Sequence, residues 1–144
     1  MAHGRVATVA DGDTLRLSDG QRVRLVQIDA PERGQECFGD QARAALLRLV
    51  PPGTQIELER EPGLDDHDRF GRLLRTVRLH GRNVNLALVV EGAAAPYFYR
   101  GDRGRGAAAL LQAAERARKG RRGLWGSCPD ARLRPTRAVD SGPA

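Results

Sequence analysis

Asp11, Asp13 and Asp29 close consecutive strand-like runs, so a meander of those runs brings three carboxylates to one rim. Carboxylates and free backbone carbonyls make an oxygen-rich site for a hard divalent cation. With no cysteine or usefully spaced histidine beside them, Ca2+ fits that site better than Zn2+. Glu32, next to Pro31, has the chemistry of a general base that activates water. Arg24 and Arg72 have the planar forks that clamp a phosphate bidentately and stabilise charge developing on it. Tyr97 and Tyr99 offer faces on which a base can stack. Each of these residues also has a plainer reading. Asp11 and Asp13 terminate a turn, Glu32 is a surface glutamate, the arginines pair with neighbouring acids, and the tyrosines pack. His67, set among Asp65, Asp66 and Asp68 without ligand spacing, belongs to a loop.

The core of this set is Arg24-Leu25-Val26-Gln27-Ile28-Asp29-Ala30-Pro31-Glu32. Side chains alternate faces along a strand, so Arg24 and Asp29, five residues apart, point to opposite sides of a straight one. Placing both in one site requires a bend or bulge before Asp29.

The surrounding elements are short. Residues 5–9 and 14–18 alternate apolar and polar around Asp11-Gly12-Asp13, where Gly12 makes positive φ easy. Residues 22–28 continue the meander, with Val23 and Leu25 on one face. Ala42, Ala45, Leu46 and Leu49 recur at helical spacing within 39–50, and Pro51-Pro52 stops that helix. Strands are expected at 54–60, with Ile56 and Leu58 facing the core, and at 73–79. A short helix over 84–91 ends at Gly92. A helix over 106–120 carries Ala109, Leu110, Ala113 and Ala117 on one stripe, and Leu124 and Trp125 close over the core. Five strands with helices after the third and the fifth describe an α+β, mainly β, fold: an oligonucleotide-binding (OB-fold) barrel with three helices. Residues 1–128 form the domain. Residues 129–144, rich in Pro, Arg and Ser without periodicity, read as a flexible tail.

The formal net charge of +6 is unevenly spread. Residues 1–96 are near balance, whereas residues 97–137 hold 11 Arg and Lys against Asp102, Glu115 and Asp130. Such an excess suits a polyanion, or a solvated helix face. No apolar run approaches the about 18–20 residues of a membrane span, and the first residues lack a signal peptide's hydrophobic stretch. Either the protein stays inside the cell or the chain is a mature form. The two cysteines, Cys37 and Cys128, show no metal spacing; a bridge between them and two free thiols are both open on sequence alone.

Taken in order, Asp11-Gly12-Asp13-Thr14, Arg24 to Glu32, Asp68-Arg69-Phe70-Gly71-Arg72, Val84-Asn85-Leu86-Ala87 with Gly92, and Glu115-Arg116-Ala117 with Gly123-Leu124-Trp125 resemble the staphylococcal-nuclease-like (thermonuclease) family. The resemblance covers about residues 6–128. It implies a five-stranded barrel with three helices and Ca2+-dependent hydrolysis of DNA and RNA phosphodiesters to 3′-phosphate products. By position, it implies Asp13, Asp29 and the backbone carbonyl of Ala30 as metal ligands, with Asp11 acting from behind them. Glu32 would be the general base, Arg24 and Arg72 the phosphate clamp, and Tyr97 or Tyr99 the nucleotide contact. Family members more often carry Thr at position 30, a change that a carbonyl ligand survives. The stretch between Glu32 and Phe38 is shorter than the mobile loop of the best-known member, which implies a more rigidly held base. The settings of Cys37 and Cys128 resemble a pair in exported relatives, implying a Cys37–Cys128 disulfide and a secreted or extracytoplasmic location, with the signal peptide absent from this chain.

The residues thus favour a monomeric metal-dependent nuclease that does not engage membranes as a span. The alternatives are a non-catalytic OB-fold nucleic-acid-binding module, and a basic interaction domain for RNA or membrane surfaces. The presence of Asp13, Asp29, Glu32, Arg24 and Arg72 separates the first from the second, and the third would bind in EDTA and never cleave.

Overall fold

The computed structural model describes residues 2–144. Its first three strands, β1 (Ala2–Asp11), β2 (Thr14–Leu17) and β3 (Arg22–Leu25), form the expected antiparallel meander, followed by a two-residue strand, β4 (Ile28–Asp29). Helix α1 (Gly39–Leu49) leads to β5 (Gln55–Glu59) and β6 (Leu73–Leu79). A short β7 (Arg82–Asn83), α2 (Val84–Val90), β8 (Ala95–Pro96), α3 (Ala107–Lys119) and the single turn α4 (Leu124–Ser127) complete the chain.

Strand β1 is shared. Its first half, Ala2 to Arg5, pairs with β5, and its second half, Val6 to Asp11, pairs with β2. Register shifts between Val6 and Thr8 and between Val9 and Asp11 supply the bend that this demands. Parallel pairing of β3 with β6 then closes β1, β2, β3, β5 and β6 into a five-strand barrel, the OB-fold arrangement with helices α1, α2 and α3 around it. The alternation read from the sequence fills its interior: Val6, Val9, Leu15, Leu17, Val23, Leu25, Ile56, Leu58 and Val77 are all buried.

Helix α1 buries Ala42, Ala45 and Leu46 against the barrel. Gly12 is there for this contact and not for positive φ, which it does not adopt. A Cβ at Gly12 would lie 2.8 Å from the Ala42 Cβ and 2.9 Å from that of Ala30. On α3 the buried residues are Ala107, Leu110, Ala114 and Ala117, so the buried stripe is rotated from the expected one and Ala109 is exposed. Leu124 is fully buried, but Trp125 is only partly so.

The segment after Cys128, expected from composition to be a flexible tail, lies back along Asp29, Glu36, Cys37 and Phe98. Val139 and Ser141 are buried, and the Phe98 N–H donates to the Pro135 carbonyl. A disulfide joins Cys37 to Cys128, 91 residues apart in the chain. Closing so long a loop stabilises by about 4–5 kcal/mol in the chain-entropy account. The Cys37→Ser/Cys128→Ser protein is therefore expected to melt on the order of 10 °C below the wild type by calorimetry.

Candidate active site

The bend that the sequence requires is at Gln27. β3 ends at Leu25, Gln27 adopts φ +68°, and β4 begins at Ile28. Buried Asn85 pins this break: its side-chain N–H donates to the Val26 carbonyl at 3.0 Å, and its Oδ1 accepts from the Val77 N–H of β6 at 3.0 Å. Gln27 itself holds a neighbouring wall, accepting at Oε1 from the Gly104 N–H and donating to the Asp102 carbonyl. Pairing of β4 with β8, Asp29 opposite Ala95, brings Tyr97 beside this segment.

With the strand broken, Arg24 and Asp29 share a side after all. Arg24 Nη2 lies 2.8 Å from Asp29 Oδ1 and 3.3 Å from Asp13 Oδ2, while Nη1 donates to the carbonyls of Leu25 and Ile28. The guanidinium thus occupies the place of a cation between two carboxylates. Asp13 is further held by the Ala30 N–H at 2.8 Å and by the Thr14 hydroxyl at 2.8 Å. Asp29 Oδ2 accepts from the Val139 N–H at 2.7 Å. Asp11 touches neither Arg24 nor Asp29; its Oδ1 accepts from the Arg33 N–H at 3.0 Å.

Burial, reinforced by the negative charge of Asp13, pushes the Asp29 carboxyl up to about 6, against the pull of Arg24 and of the Val139 N–H. Between the unfolded value near 3.8 and about 6, the folded protein then binds the extra proton, so the contribution of Asp29 to stability is present at low pH and is lost as pH rises through about 6. In EDTA, the stability of Asp29→Asn relative to the wild type in urea titrations is expected to rise by on the order of 3 kcal/mol from pH 4 to pH 7, whatever its sign at pH 4. A constant difference would count against this environment for Asp29.

Two aspartates facing one cation, next to the Ala30 peptide, have the donor chemistry of a hard-ion site, and the raised proton affinity of Asp29 comes first from its burial and then from the negative charge of Asp13. Among the described residues no group of three or more His, Cys, Asp or Glu is arranged to hold a metal. An ion here would take two carboxylates and a carbonyl from the chain and keep water in its remaining positions.

Glu32 is exposed at the start of the loop into α1, and its carboxylate makes no hydrogen bond or ion pair among the described residues. Its backbone is nonetheless fixed. Its N–H donates to Glu36 Oε1, and its carbonyl accepts from the Gln35 and Glu36 N–H groups. A Cβ at Gly39 would fall 2.1 Å from that carbonyl. Glu36 was not singled out from the sequence. Burial raises the proton affinity of its carboxyl, opposed by the Glu32 N–H and aided by Glu32, Asp140 and Asp13.

Arg72 touches neither Asp13 nor Asp29. Its Nε lies 2.6 Å from Asp68 Oδ2, and Asp68 Oδ1 accepts from the Phe70 and Arg72 N–H groups. Burial pushes the Asp68 carboxyl upward, but the Arg72 bonds win and hold it below the usual carboxylate range. Arg72 and Arg24 nevertheless line one cleft of about 420 Å³, together with Phe70, Tyr97, Tyr99 and Arg100. The tyrosine rings meet edge to face at 6.5 Å, with Tyr97 half-buried and Tyr99 exposed. Phe70 is 57% exposed and flanked by the guanidinium groups of Arg69 and Arg72 at 4.9 and 5.5 Å.

A family model described as staphylococcal nuclease homologue matches residues 22–127. Protein ParB of Escherichia coli is 41% identical over 135 residues, spanning 85% of this chain and 71% of that protein. An uncharacterized endonuclease of Escherichia coli O157:H7 is 38% identical over 128 residues, 85% of this chain and 76% of its own length. A micrococcal nuclease of Shigella flexneri is 36% identical over 140 residues, with 89% and 75% covered.

Proposed function

This chain belongs to the staphylococcal nuclease homologue family, and on that premise we propose that it is a Ca2+-dependent nuclease, hydrolysing phosphodiester bonds of DNA and RNA to 3′-phosphate products. The observation that carries the reading is the convergence of Asp13 and Asp29 on Arg24 at one edge of the cleft that Arg72 also lines. Asp13, Asp29 and the Ala30 carbonyl would hold the ion, and Asp11 braces the neighbouring loop through Arg33. Bound Ca2+ would polarise a phosphoryl oxygen as a Lewis acid. Arg24 and Arg72 bind the phosphate and stabilise its growing charge. Glu32 takes the proton of a water whose oxygen attacks phosphorus. The bond to the 5′-oxygen breaks, that oxygen leaves as a hydroxyl after protonation by solvent, and the phosphate stays on the 3′ side. Tyr97 and Tyr99 bound the nucleotide, and the basic excess of residues 97–137 raises local substrate concentration in a salt-dependent way.

The protein acts as a monomer outside the cytoplasm in this reading, a setting that the Cys37–Cys128 disulfide supports. No helix among the described residues is long and apolar enough to cross a membrane. The test is to incubate plasmid, single-stranded DNA and RNA with Ca2+, Mg2+ or EDTA and analyse the termini. Fragments with 3′-phosphates are expected with Ca2+ and none in EDTA. Binding without cleavage under every condition would instead identify a nucleic-acid-binding module.

A further inference from the structure

The polypeptide from Pro135 to Ala144 is clasped to the segments that carry the candidate site. Val139 donates its N–H to Asp29 Oδ2 at 2.7 Å. Ser141, only 1% exposed, donates its hydroxyl to the Cys37 carbonyl at 2.7 Å, and the Cys37 N–H donates to the Gly142 carbonyl at 2.9 Å. Pro143 bridges to Glu36, whose side chain holds the Glu32 N–H, and the Pro135 carbonyl accepts from Phe98, between the two tyrosines. The disulfide adds a covalent tie, since it holds Cys128, which precedes the segment in the chain, to Cys37, the residue that bonds Ser141 and Gly142 near its far end.

A carboxylate with one oxygen held by a backbone N–H has its other oxygen aimed. In Asp29 the aimed atom is Oδ1, which faces Arg24, the residue that also contacts Asp13. Partners behind a metal ligand tune affinity by fixing such orientations. We propose that residues 135–144 form a positioning strap for the site, with the Val139 N–H orienting Asp29 as an ion ligand. The inference rests on the reading of Asp29 as a ligand. It makes the strap, and the disulfide that anchors it, a determinant of Ca2+ affinity as well as of fold stability.

The test titrates Ca2+ by calorimetry into the wild type and three altered proteins, each checked for folding by circular dichroism. Val139→Pro removes the donor while keeping an apolar side chain, Val139→Ala keeps the donor while losing packing, and a chain ending at Pro135 lacks Val139 altogether. Val139→Pro and the shortened chain are expected to bind Ca2+ about 10–100-fold more weakly, with Val139→Ala close to wild type. Wild-type affinity in both donor-less proteins would reduce the strap to packing, and tighter binding would make it an inhibitory cap; either overturns the proposal. Hydrogen exchange in EDTA gives a readout that needs no ion: the Val139 amide is expected to be protected in the wild type and to lose protection in Asp29→Ala. Protection that survives Asp29→Ala refutes the proposed bond. A protected amide in a wild type that binds no Ca2+ would overturn the metal reading, and the positioning role with it, while leaving the bond intact.

Discussion

Arg24→Met is expected to lose cleavage and stability together, and to recover only stability when Ca2+ is added. The guanidinium is the counter-charge for Asp13 and Asp29, and all three side chains are largely buried, 12%, 8% and 17% exposed. Removing one partner from such a group leaves uncompensated charge, at a cost of about 3–5 kcal/mol. Methionine fills similar volume but also abandons the Leu25 and Ile28 carbonyls that Nη1 satisfies. A bound divalent cation supplies the missing positive charge, so the melting temperature should rise with Ca2+ more steeply than in the wild type. Cleavage should stay about 10²–10³-fold down, because a donor aimed at the developing phosphate charge is gone. Arg24→Lys separates the two roles: the charge remains and stability is largely kept, whereas the bidentate fork is lost and the rate is not rescued. Wild-type turnover in Arg24→Met would remove Arg24 from the clamp.

How much of this site was readable in the sequence depends on how local the cause is. The barrel strands, α1 and its stop at Pro51-Pro52 follow from short-range alternation, helical spacing and proline chemistry, and the structure has them within a few residues of their expected bounds. The side-chain parity of Arg24 and Asp29 also legitimately demanded a break in the strand. Its location was not readable, because Gln27 carries no local signature of positive φ; the conformation is imposed by Asn85 from α2 and by the 102–104 loop. Gly12 does lie in the turn between β1 and β2, as its neighbours suggest, but the close approach of α1, remote in sequence, and not positive φ is what requires a glycine there. Residues 129–144 lack periodicity because the segment forms no helix or long strand. Its burial comes from single contacts, Val139 on Asp29 and Ser141 on Cys37, that composition cannot register. Glu36 has no sequence signature for the same reason, since its partner is a backbone N–H in its own loop.

Glu32→Ala should be the cleanest separation of chemistry from fold in this protein. Its side chain is exposed and free of hydrogen bonds and ion pairs among the described residues, so truncation should change the unfolding free energy by no more than the about 0.5 kcal/mol typical of surface sites. Losing a general base costs about 10²–10⁴ in rate, and that loss should fall on kcat with little change in KM or in Ca2+ affinity. Glu32→Gln should fail equally, because the amide keeps the shape and loses the basicity. The backbone beneath Glu32 makes a complementary case. Gly39→Ala forces a Cβ to within 2.1 Å of the Glu32 carbonyl, so the loop must shift while the carboxylate itself is retained. If the loop exists to aim that carboxylate, Gly39→Ala should lose activity comparably but should also destabilise, and its Ca2+ affinity should fall as the neighbouring Asp11 to Arg33 contact is disturbed. Full cleavage by Glu32→Ala would transfer the proton-accepting role to another group, and the carboxylate to try next is Glu36, which contacts the Glu32 backbone and already has raised proton affinity.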